Sequence, residues 1–372
     1  MPVSRTDTSL LGRWWWSVDR LTLIAIATLI GFGYVLILAA SPSVAARIGE
    51  AQDLFILKQV LFLAVAFVEV VGVSMLSPRN VKRAALLGCM IALGLTAMTL
   101  VIGTEIKGAR RWISLPGFAI QPSEFLKPCF AVVAAWLIAE SKKRRNFPGT
   151  LMACAIFVVI LLLLKAQPDI GMLTVVTAVF LAQLFVEGIN LGWIGLGLIG
   201  MVLGAIGLYT WDAHVRTRVL RFLHPTADNS YQVDKALQAF GNGGLFGRGP
   251  GEGQVKDMLP DAHADFVFAV AGEEFGFLVC LVLVAIFAFI VIRALLRLLN
   301  EHDLFIILAV SGLATSFGLQ AFVNMASALH LIPTKGMTLP FISYGGSSAL
   351  AMALELGFLL ALTRARSQGA LR

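Results

Sequence analysis

A polar, glycine-rich stretch between two long apolar runs carries the residues best suited to chemistry. It extends from Gly241 to Asp265 and reads GNGGLFGRGPGEGQVKDMLPDAHAD. Its glycines let the main chain approach a ligand closely, and their amides can form an anion-binding nest. The stretch ends in His263 and Asp265 just before an apolar run, and either side chain can accept a proton. We therefore expect a reaction centre at this boundary.

Two other places set ionisable residues at the edge of an apolar run. Glu124 and Lys127 are three residues apart, so they share a face of a helix and can pair. Asp169 follows Pro168 at the start of another run. Ionisable groups at membrane depth are costly and normally face a partner or a water-filled cavity, which makes each a candidate for a functional site. The alternatives are a structural salt bridge for the pair and a helix cap for Asp169.

The other polar candidates also have structural alternatives. Asp265 can cap the following helix, and His263 can fix the loop rather than act as a base. The segment Ser343 to Ser348, SYGGSS, suits close helix packing, or it forms a wall of a substrate cavity with Lys335 facing a phosphate. The glycine spacing matches neither a P-loop nor a dinucleotide fingerprint, which argues against nucleotide binding.

Composition places the elements that must position these residues in a lipid bilayer. Hydrophobic residues make up 58% of the 372 residues, charged residues only 14%, and the mean hydropathy is +0.85. A helix needs about 20 apolar residues to cross the hydrocarbon core, and about ten runs approach that length. The expected spans are 21–40, 54–76, 84–103, 123–140, 148–164, 170–187, 191–210, 266–292, 304–329 and 343–363. The prediction is an all-α polytopic membrane protein, because no alternating pattern of a barrel is present.

The distribution of Lys and Arg predicts the orientation. Basic residues gather in the N-terminal segment, in alternate short loops and after the last span, which places both termini in the cytoplasm. The expected organisation is a cytoplasmic segment 1–20, one membrane domain 21–364 and a cytoplasmic tail 365–372. A large extracytoplasmic loop, about 211–264, joins the seventh and eighth spans. The start of the chain is predicted to be a retained helix rather than a signal peptide.

Basic residues on the outer side need another explanation, because the topology rule does not account for them. The candidates for binding an anion are Arg110, Arg111, Arg216, Arg218, Arg248 and Lys256. The outer loop 211–264 carries as many acidic residues as basic residues, so an anion site there must depend on local geometry. Nucleic acid is not an expected partner, since the net charge of +7 largely reflects the cytoplasmic loops. The four cysteines lie inside predicted spans and show no metal-ligand spacing, and His214 and His224 show no zinc spacing either.

Taken together, the polar motifs from about residue 100 onward identify a known family. They are, in order, RRWI, QPSEFLK, QPDIG, FLHP, KALQAFGNGGLFGRG, PDAHADFVFAVAGEEFG and IPTKGMTLPFISYGGSS. The chain resembles the SEDS family of peptidoglycan polymerases. Thr334 to Ser348 and Gly272 to Glu274 are more similar to its septal branch than to its elongation branch. Asp261 and Ala264 depart from the family pattern, which usually has Glu and often has Thr there.

The resemblance implies a glycosyltransferase that uses lipid II, a disaccharide-pentapeptide on undecaprenyl diphosphate, at the outer face of the cytoplasmic membrane. The essential carboxylate of the family falls on Asp265, and other motif residues fall on Glu124, Lys127 and Asp169. We expect Asp265 to deprotonate the acceptor hydroxyl, while basic groups stabilise the departing diphosphate. One carboxylate suffices, because the diphosphate leaves without a proton donor. A divalent cation, Mg²⁺ or Mn²⁺, is a candidate to share the role of the basic groups, although no protein cage for a metal is visible.

The resemblance also implies partners and a location. It predicts a class B penicillin-binding protein as cross-linking partner, further divisome membrane proteins, and a place in the bacterial inner membrane at the division septum. The alternatives are a transporter that moves lipid II, an elongation-type polymerase, and a scaffold that only anchors a partner. No internal repeat supports the transporter, and a scaffold leaves the outer polar groups without a role.

Overall fold

Thirteen helices and three short strands make up the described part of the chain. The computed structural model describes residues 9–48, 52–106, 109–115, 118–211, 213–223, 231–259, 261–333 and 336–365. The helices are α1 Leu10–Ser17, α2 Arg20–Ile48, α3 Gln52–Ser74, α4 Pro78–Ile102, α5 Pro122–Lys143, α6 Gly149–Ala166, α7 Ile170–Glu187, α8 Leu191–Trp211, α9 Ala213–Leu223, α10 Tyr231–Gly243, α11 Val267–Leu298, α12 Leu304–Ala328 and α13 Gly346–Leu362. The strands are β1 Thr104–Ile106, β2 Ala109–Leu115 and β3 Phe118–Ile120.

The ten predicted spans each coincide with one apolar helix, which confirms the helical membrane fold. Eight of these helices, α2 to α7, α11 and α12, are long and apolar enough to cross a membrane by length and composition. The other two contribute shorter apolar stretches, Gly195–Trp211 of α8 and Gly346–Leu362 of α13. The last predicted span starts at Ser343, but its helix, α13, starts three residues later, because the SYG residues form a turn.

Three helices form the centre of the bundle. α5, α12 and α13 are buried along most of their length, whereas α3, α4, α6 and α11 expose about three quarters of their apolar windows. The outer helices expose Leu, Val and Ile side chains. These side chains suit contact with lipid chains, because lipid chains are as apolar as a protein core. The central helices carry Glu124, Lys127 and the Gly346–Ser348 end of the SYGGSS segment, so the bundle buries these polar residues at its core.

The outer loops contain structure that the sequence analysis did not predict. β1 and β3 pair antiparallel with β2 in a small sheet between α4 and α5. In this sheet Glu105 lies opposite Arg110. The expected loop 211–264 contains the helices α9 and α10 and a short 3₁₀ turn, Val255–Asp257. These elements are short and partly polar, so they give no signal of spanning length.

A break in α11 receives the glycine-rich loop. Gly276 has φ 81° and ψ 178°, a combination that is essentially confined to glycine. The freed amides of Phe277 and Leu278 bond to the carbonyls of Gly244 and Leu245, at 2.9 and 3.3 Å. The loop therefore docks into the helix and satisfies the hydrogen bonds that the break exposes.

Candidate functional site

Asp265 lies on the turn that leads into α11. Its amide bonds to the carbonyl of Asp261 at 3.0 Å, and Asp261 itself adopts a left-handed backbone with φ 52°. The N-cap of α11 is Phe266, so the structure does not place Asp265 at the capping position. The side chain is half-buried and retains access to solvent. This placement suits a carboxylate that must reach a substrate.

The connection between α12 and α13, residues 336–345, brings the site together. Gly336 packs against the Asp265 carboxylate so closely that a methyl group on Gly336 would lie 3.3 Å from Oδ2. The next residue, Met337, places its sulfur near Gly171, where an added methyl group would lie 3.3 Å from it. Thr338 then accepts hydrogen bonds from Gln320 Nε2, at 3.1 Å on its carbonyl oxygen and 3.3 Å on its hydroxyl. Gly336, Met337 and Thr338 thus contact Asp265, the start of α7 and α12, respectively.

Two amides on α12 hold this connection in place. Asn324 donates from Nδ2 to the carbonyl of Met337 at 2.6 Å and to the carbonyl of Asp265 at 3.2 Å. Gln320 lies one turn away on the same face of the helix. Its Oε1 accepts a hydrogen bond from Lys127 Nζ. The sequence analysis missed both residues, although two amides four apart in an apolar helix are themselves a signal of a polar contact.

Glu124 and Lys127 form the predicted ion pair. The distance from Nζ to Oε2 is 3.2 Å, and the Lys127 side chain is fully buried while that of Glu124 is 11% exposed. The pair therefore presents its carboxylate toward the outer boundary and its ammonium toward the core. Both the structural and the functional interpretation are compatible with this arrangement, because Gln320 connects the ammonium to the segment that faces Asp265.

Asp169 is the N-cap of α7 and joins the same site. Its Oδ1 accepts from the amide of Met172 at 3.2 Å, as the capping alternative predicts. Its Oδ2 accepts from Gln121 Nε2 at 3.2 Å and lies 3.8 Å from Arg111 Nη1. Arg111 extends from β2 and also donates to the carbonyls of Gln167 and Pro168. The small sheet thus positions a partly exposed guanidinium above the start of α7.

The glycine-rich loop binds carboxylates of this chain. Glu273 accepts from the amides of Gln254, Val255 and Lys256 at 3.0 to 3.3 Å. Glu274 accepts from the amide of Gly251 at 3.0 Å and pairs with Lys256 Nζ at 2.5 Å. The predicted nest is therefore occupied from within in this structure. Lys256 is buried in an internal ion pair rather than directed toward a substrate phosphate.

The remaining predicted residues are dispersed around the site. Ser343 donates to the carbonyl of Ala264 at 2.5 Å, so it fixes the turn that carries Asp265. The carbonyl of His263 accepts from the amide of Tyr344 at 2.8 Å, and their rings are 5.3 Å apart, which supports the loop-fixing alternative.

The predicted basic residues that the structure describes do not converge on Asp265. Arg110 pairs with Glu105 at 3.5 Å on the exposed sheet. Arg216 and Arg248 are exposed on α9 and the glycine-rich loop. Lys335 and the side chain of Arg218 lie outside the described residues.

A metal would have to share its coordination with the substrate. Among the described residues no three His, Cys, Asp or Glu side chains form a group that could hold an ion. The carboxylates of the site that keep some exposure are Asp265, Glu124 and Asp169. Mg²⁺ in such sites is bound by one or two carboxylates together with substrate phosphates, and this donor set is compatible with that arrangement.

An apolar groove of about 500 Å³ lies between α2 and α11. Its lining is Thr28, Gly31, Phe32, Tyr34, Val35, Leu36 and Phe275. Phe275 directly follows Glu274 and precedes the break at Gly276. The groove therefore adjoins the segment of α11 that holds the glycine-rich loop, and its chemistry suits a hydrocarbon chain.

Comparison with known proteins relates this whole arrangement to one family. Residues 20–368 match the family model FTSW_RODA_SPOVE, described as "Cell cycle protein". The "Probable peptidoglycan glycosyltransferase FtsW" of Caulobacter vibrioides (strain NA1000 / CB15N) is 43% identical over 98% of this chain and 93% of its own length. The protein of the same description from Trichlorobacter lovleyi is 36% identical over 92% of each chain.

Solved structures give the same relationship. A chain from a study described as "Structural coordination of polymerization and crosslinking by a peptidoglycan synthase complex" superposes with a TM-score of 0.78 at 26% identity, over 94% of this chain and 98% of that chain. The "Rod shape determining protein RodA" of Thermus thermophilus superposes with a TM-score of 0.70 at 26% identity, over 94% and 97%. The similarity therefore covers nearly the whole length of the chain.

Proposed function

The chain belongs to the FtsW/RodA/SpoVE family, the SEDS family, and we propose that it polymerises lipid II into glycan strands with Asp265 as the catalytic base. It is a multi-pass membrane protein and a peptidoglycan glycosyltransferase of this family. The observation that supports the site is the half-buried Asp265 carboxylate, which the connection 336–345 links to Lys127 and Asp169. Its position before α11 places it at the outer boundary in the predicted topology.

The proposed reaction needs one base and a stabilised leaving group. Asp265 takes the proton from the acceptor sugar 4-hydroxyl as that oxygen bonds to the anomeric carbon of the donor. The bond from this carbon to the diphosphate breaks, and undecaprenyl diphosphate departs with the electron pair, which inverts the anomeric centre. A second carboxylic acid, as in a glycoside hydrolase, is unnecessary because the diphosphate is a weak base.

Cationic groups near the outer boundary would bind the diphosphate. Arg111 is suited to this role, since its side chain is 26% exposed and lies next to Asp169. A guanidinium binds phosphate oxygens in a bidentate manner, so it can stabilise charge as it develops on the leaving group. Arg110, Arg216 and Arg248 are exposed and remain candidates for the same role. A divalent cation, Mg²⁺ or Mn²⁺, would supply additional charge neutralisation when held by Asp265 or Glu124 and the diphosphate.

We propose that the protein acts at the division septum of the inner membrane. Its similarity to relatives described as FtsW supports a septal rather than an elongation role. The related synthase complex couples polymerization to crosslinking, which supports a class B penicillin-binding protein as the partner of this chain. Other divisome membrane proteins are expected to bind the same assembly. A fluorescent fusion in dividing cells tests the location, and signal spread evenly along the cell would instead favour the elongation role.

The polymerase proposal is tested with purified full-length protein, alone and together with its class B penicillin-binding protein, and lipid II. Asp265→Asn preserves the shape of the side chain but removes the base, so we expect polymer yield to fall by at least about 100-fold. Asp257→Asn is the matched control, because Asp257 is exposed in the same loop. Unchanged polymer yield from Asp265→Asn contradicts the catalytic role. Movement of lipid II across vesicles without any polymer favours the transporter alternative.

A further inference from the structure

Glu355 is a buried carboxylate that the proposed reaction does not use. It lies in the middle of α13, within a run of apolar residues, and its side chain is completely buried. Neither carboxylate oxygen makes a well-formed hydrogen bond to the described residues. An unpartnered carboxylate in an apolar interior is very costly, so a compensating group must lie nearby.

Charged groups of the site on α5 lie at a similar depth to Glu355. Ser347 on α13 accepts a hydrogen bond from the amide of Gln121, immediately before α5, and Glu355 and Lys127 each lie about two turns further along their helices. The charges of Lys127 and Glu124 act on the Glu355 carboxylate, and the buried hydroxyl of Ser316 on α12 lies beside it. The Ser316 hydroxyl also has no hydrogen-bond partner among the residues described. The Ser316 hydroxyl and the two Glu355 carboxylate oxygens thus meet between α12 and α13 without a well-formed hydrogen bond to the described residues. Buried water commonly occupies such places, bridging polar atoms that otherwise lack partners.

Lys127 has one hydrogen-bond donor left for this place. An ammonium group carries three N–H donors, and two of them reach Glu124 Oε2 and Gln320 Oε1. Lys127 is fully buried, so its third donor has no access to bulk water. The Glu355 carboxylate carries the opposite charge and makes no direct ion pair with Lys127 in the described structure, so a contact between them needs a bridging water.

We propose that Glu355 is a positioning residue that acts through Lys127, as the inner counter-ion to its ammonium, with Ser316 and a bridging water completing the contact. Lys127 is then held between two carboxylates, Glu124 at the outer boundary and Glu355 in the core. When a bound cation draws Glu124 away, Glu355 keeps the ammonium in place. Lys127 thereby continues to fix Gln320 and, through it, Thr338 in the segment that faces Asp265.

A double-mutant cycle on the unfolding midpoint of the purified full chain tests the contact without reference to activity. Lys127→Met leaves two buried carboxylates without their cation, so we expect a clear fall in the midpoint. Adding Glu355→Gln removes one of those charges, and we expect the double variant to regain at least about half of the loss, whereas Glu355→Gln alone should not raise the midpoint above that of the wild type. Glu355→Met replaces Glu355→Gln if that variant misfolds. A double variant that melts no higher than Lys127→Met overturns the proposal.

A kinetic measurement tests positioning, and this part rests on the proposed polymerase function. In Glu355→Gln we expect the rate at saturating lipid II to fall roughly tenfold, because small displacements near a reaction centre have large effects. The half-saturating concentration is expected to change less than about twofold, since Glu355 does not touch substrate. Glu69→Gln is the matched control, because Glu69 is another carboxylate within a span but lies on α3.

The outcomes separate the two proposals. A wild-type protein that makes no polymer, even with its partner, counts against the polymerase function, whereas the unfolding cycle still decides the contact. A normal rate in Glu355→Gln, or a loss seen only in the half-saturating concentration, overturns the positioning role. Equal rate losses in Glu355→Gln and Glu69→Gln also overturn it, because the effect is then common to any intramembrane carboxylate.

Discussion

The contacts of each carboxylate in this site separate its role from those of the others. Glu273 and Glu274 are buried and saturated by loop amides and by Lys256, so they act as internal anions that fold the loop. Asp169 caps α7 with one carboxylate oxygen and accepts a hydrogen bond from Gln121 with the other. Asp265 is half-buried on a turn, packs against the small residue Gly336 and keeps access to solvent. Residue type alone could not distinguish these roles, since all four are acids next to apolar runs.

The Lys256–Glu274 ion pair leads to a prediction about stability. Both side chains are at most 7% exposed, and Lys256 also donates to the carbonyls of Ala39 and Gly251. We expect Lys256→Met to destabilise the protein by about 3–5 kcal/mol, because it leaves a buried charge unpaired. Thermal unfolding of the purified variant measures the loss.

The control for this prediction is the double variant Lys256→Met, Glu274→Met. Replacing both charges with apolar groups of similar size removes the unpaired charge, so it should be more stable than the single variant. If Lys256→Met unfolds like the wild type but loses polymer formation, Lys256 binds substrate, as the sequence analysis first predicted. The structure instead supports a role in folding the loop.

At the scale of elements, hydropathy predicted the spans well and the outer elements poorly. The ten spans follow from run length, because lipid demands a continuous apolar helix whatever the neighbouring helices are. β1 to β3, α9 and α10 are short elements whose formation depends on contacts with distant segments. Arg111, for example, is fixed by carbonyls at positions 167 and 168. Neither local propensity nor periodicity contains that information.

In the glycine-rich loop, the sequence predicted the hydrogen-bond donors but not the groups that they bind. Its glycines predict close main-chain approach and an amide nest, and the loop does bind anions through its amides. The bound anions are Glu273 and Glu274, which lie about 20 residues later in the chain. A sequence pattern identifies the donors, whereas the identity of the acceptor depends on how α11 folds back against the loop.

The break in α11 gives a prediction at this scale. An alanine at Gly276 would have to adopt φ 81° and ψ 178°, and its methyl group would clash with main-chain atoms of residues 245–247. We expect Gly276→Ala to lower the free energy of unfolding by about 1–3 kcal/mol, because the backbone strain belongs to a glycine-only region. Thermal unfolding and polymer yield are both measured.

Gly94→Ala is the matched control for the helix break. Gly94 lies within α4, and an added methyl group there meets no atom within 4 Å. This variant should be neutral or more stable, since alanine favours a helix relative to glycine. Equal stability of Gly276→Ala and Gly94→Ala would show that α11 tolerates a continuous helix at the break.

For the whole molecule, an ion cluster on the side predicted to be cytoplasmic links the residues before α2 to the end of α11. Asp19 accepts from Arg293 Nε at 2.7 Å and Nη2 at 2.8 Å, lies 3.2 Å from Arg297 and accepts from Thr22 at 2.9 Å. Burial by itself raises the pKa of the Asp19 carboxyl. The hydrogen bonds and the two guanidinium charges outweigh burial and hold that pKa below its ordinary value. Folding therefore favours the ionised form.

This linkage predicts the pH dependence of an Asp19→Asn variant. A lowered pKa in the folded state contributes stability that is fully present above the ordinary pKa, about 4, and is lost as pH falls through the folded value. Asp19→Asn should therefore melt below the wild type at pH 7, and the difference should shrink progressively below about pH 4. Unfolding midpoints of both proteins across this range measure it. A difference that is constant with pH would mean that the carboxylate charge does not stabilise the fold.

The predicted orientation of the molecule is tested by labelling cysteines from one side of the membrane. Glu252 is exposed in the loop before α11, and Arg145 is exposed between α5 and α6, so the charge pattern places them on opposite sides. In spheroplasts we expect Glu252→Cys to react with a membrane-impermeant maleimide, whereas Arg145→Cys should react only after permeabilisation. The parent protein is the control, because its four cysteines lie within α4, α5, α6 and α11. Labelling of Arg145→Cys alone in intact spheroplasts would invert the topology and place Asp265 on the cytoplasmic side, where extracytoplasmic polymerisation is impossible.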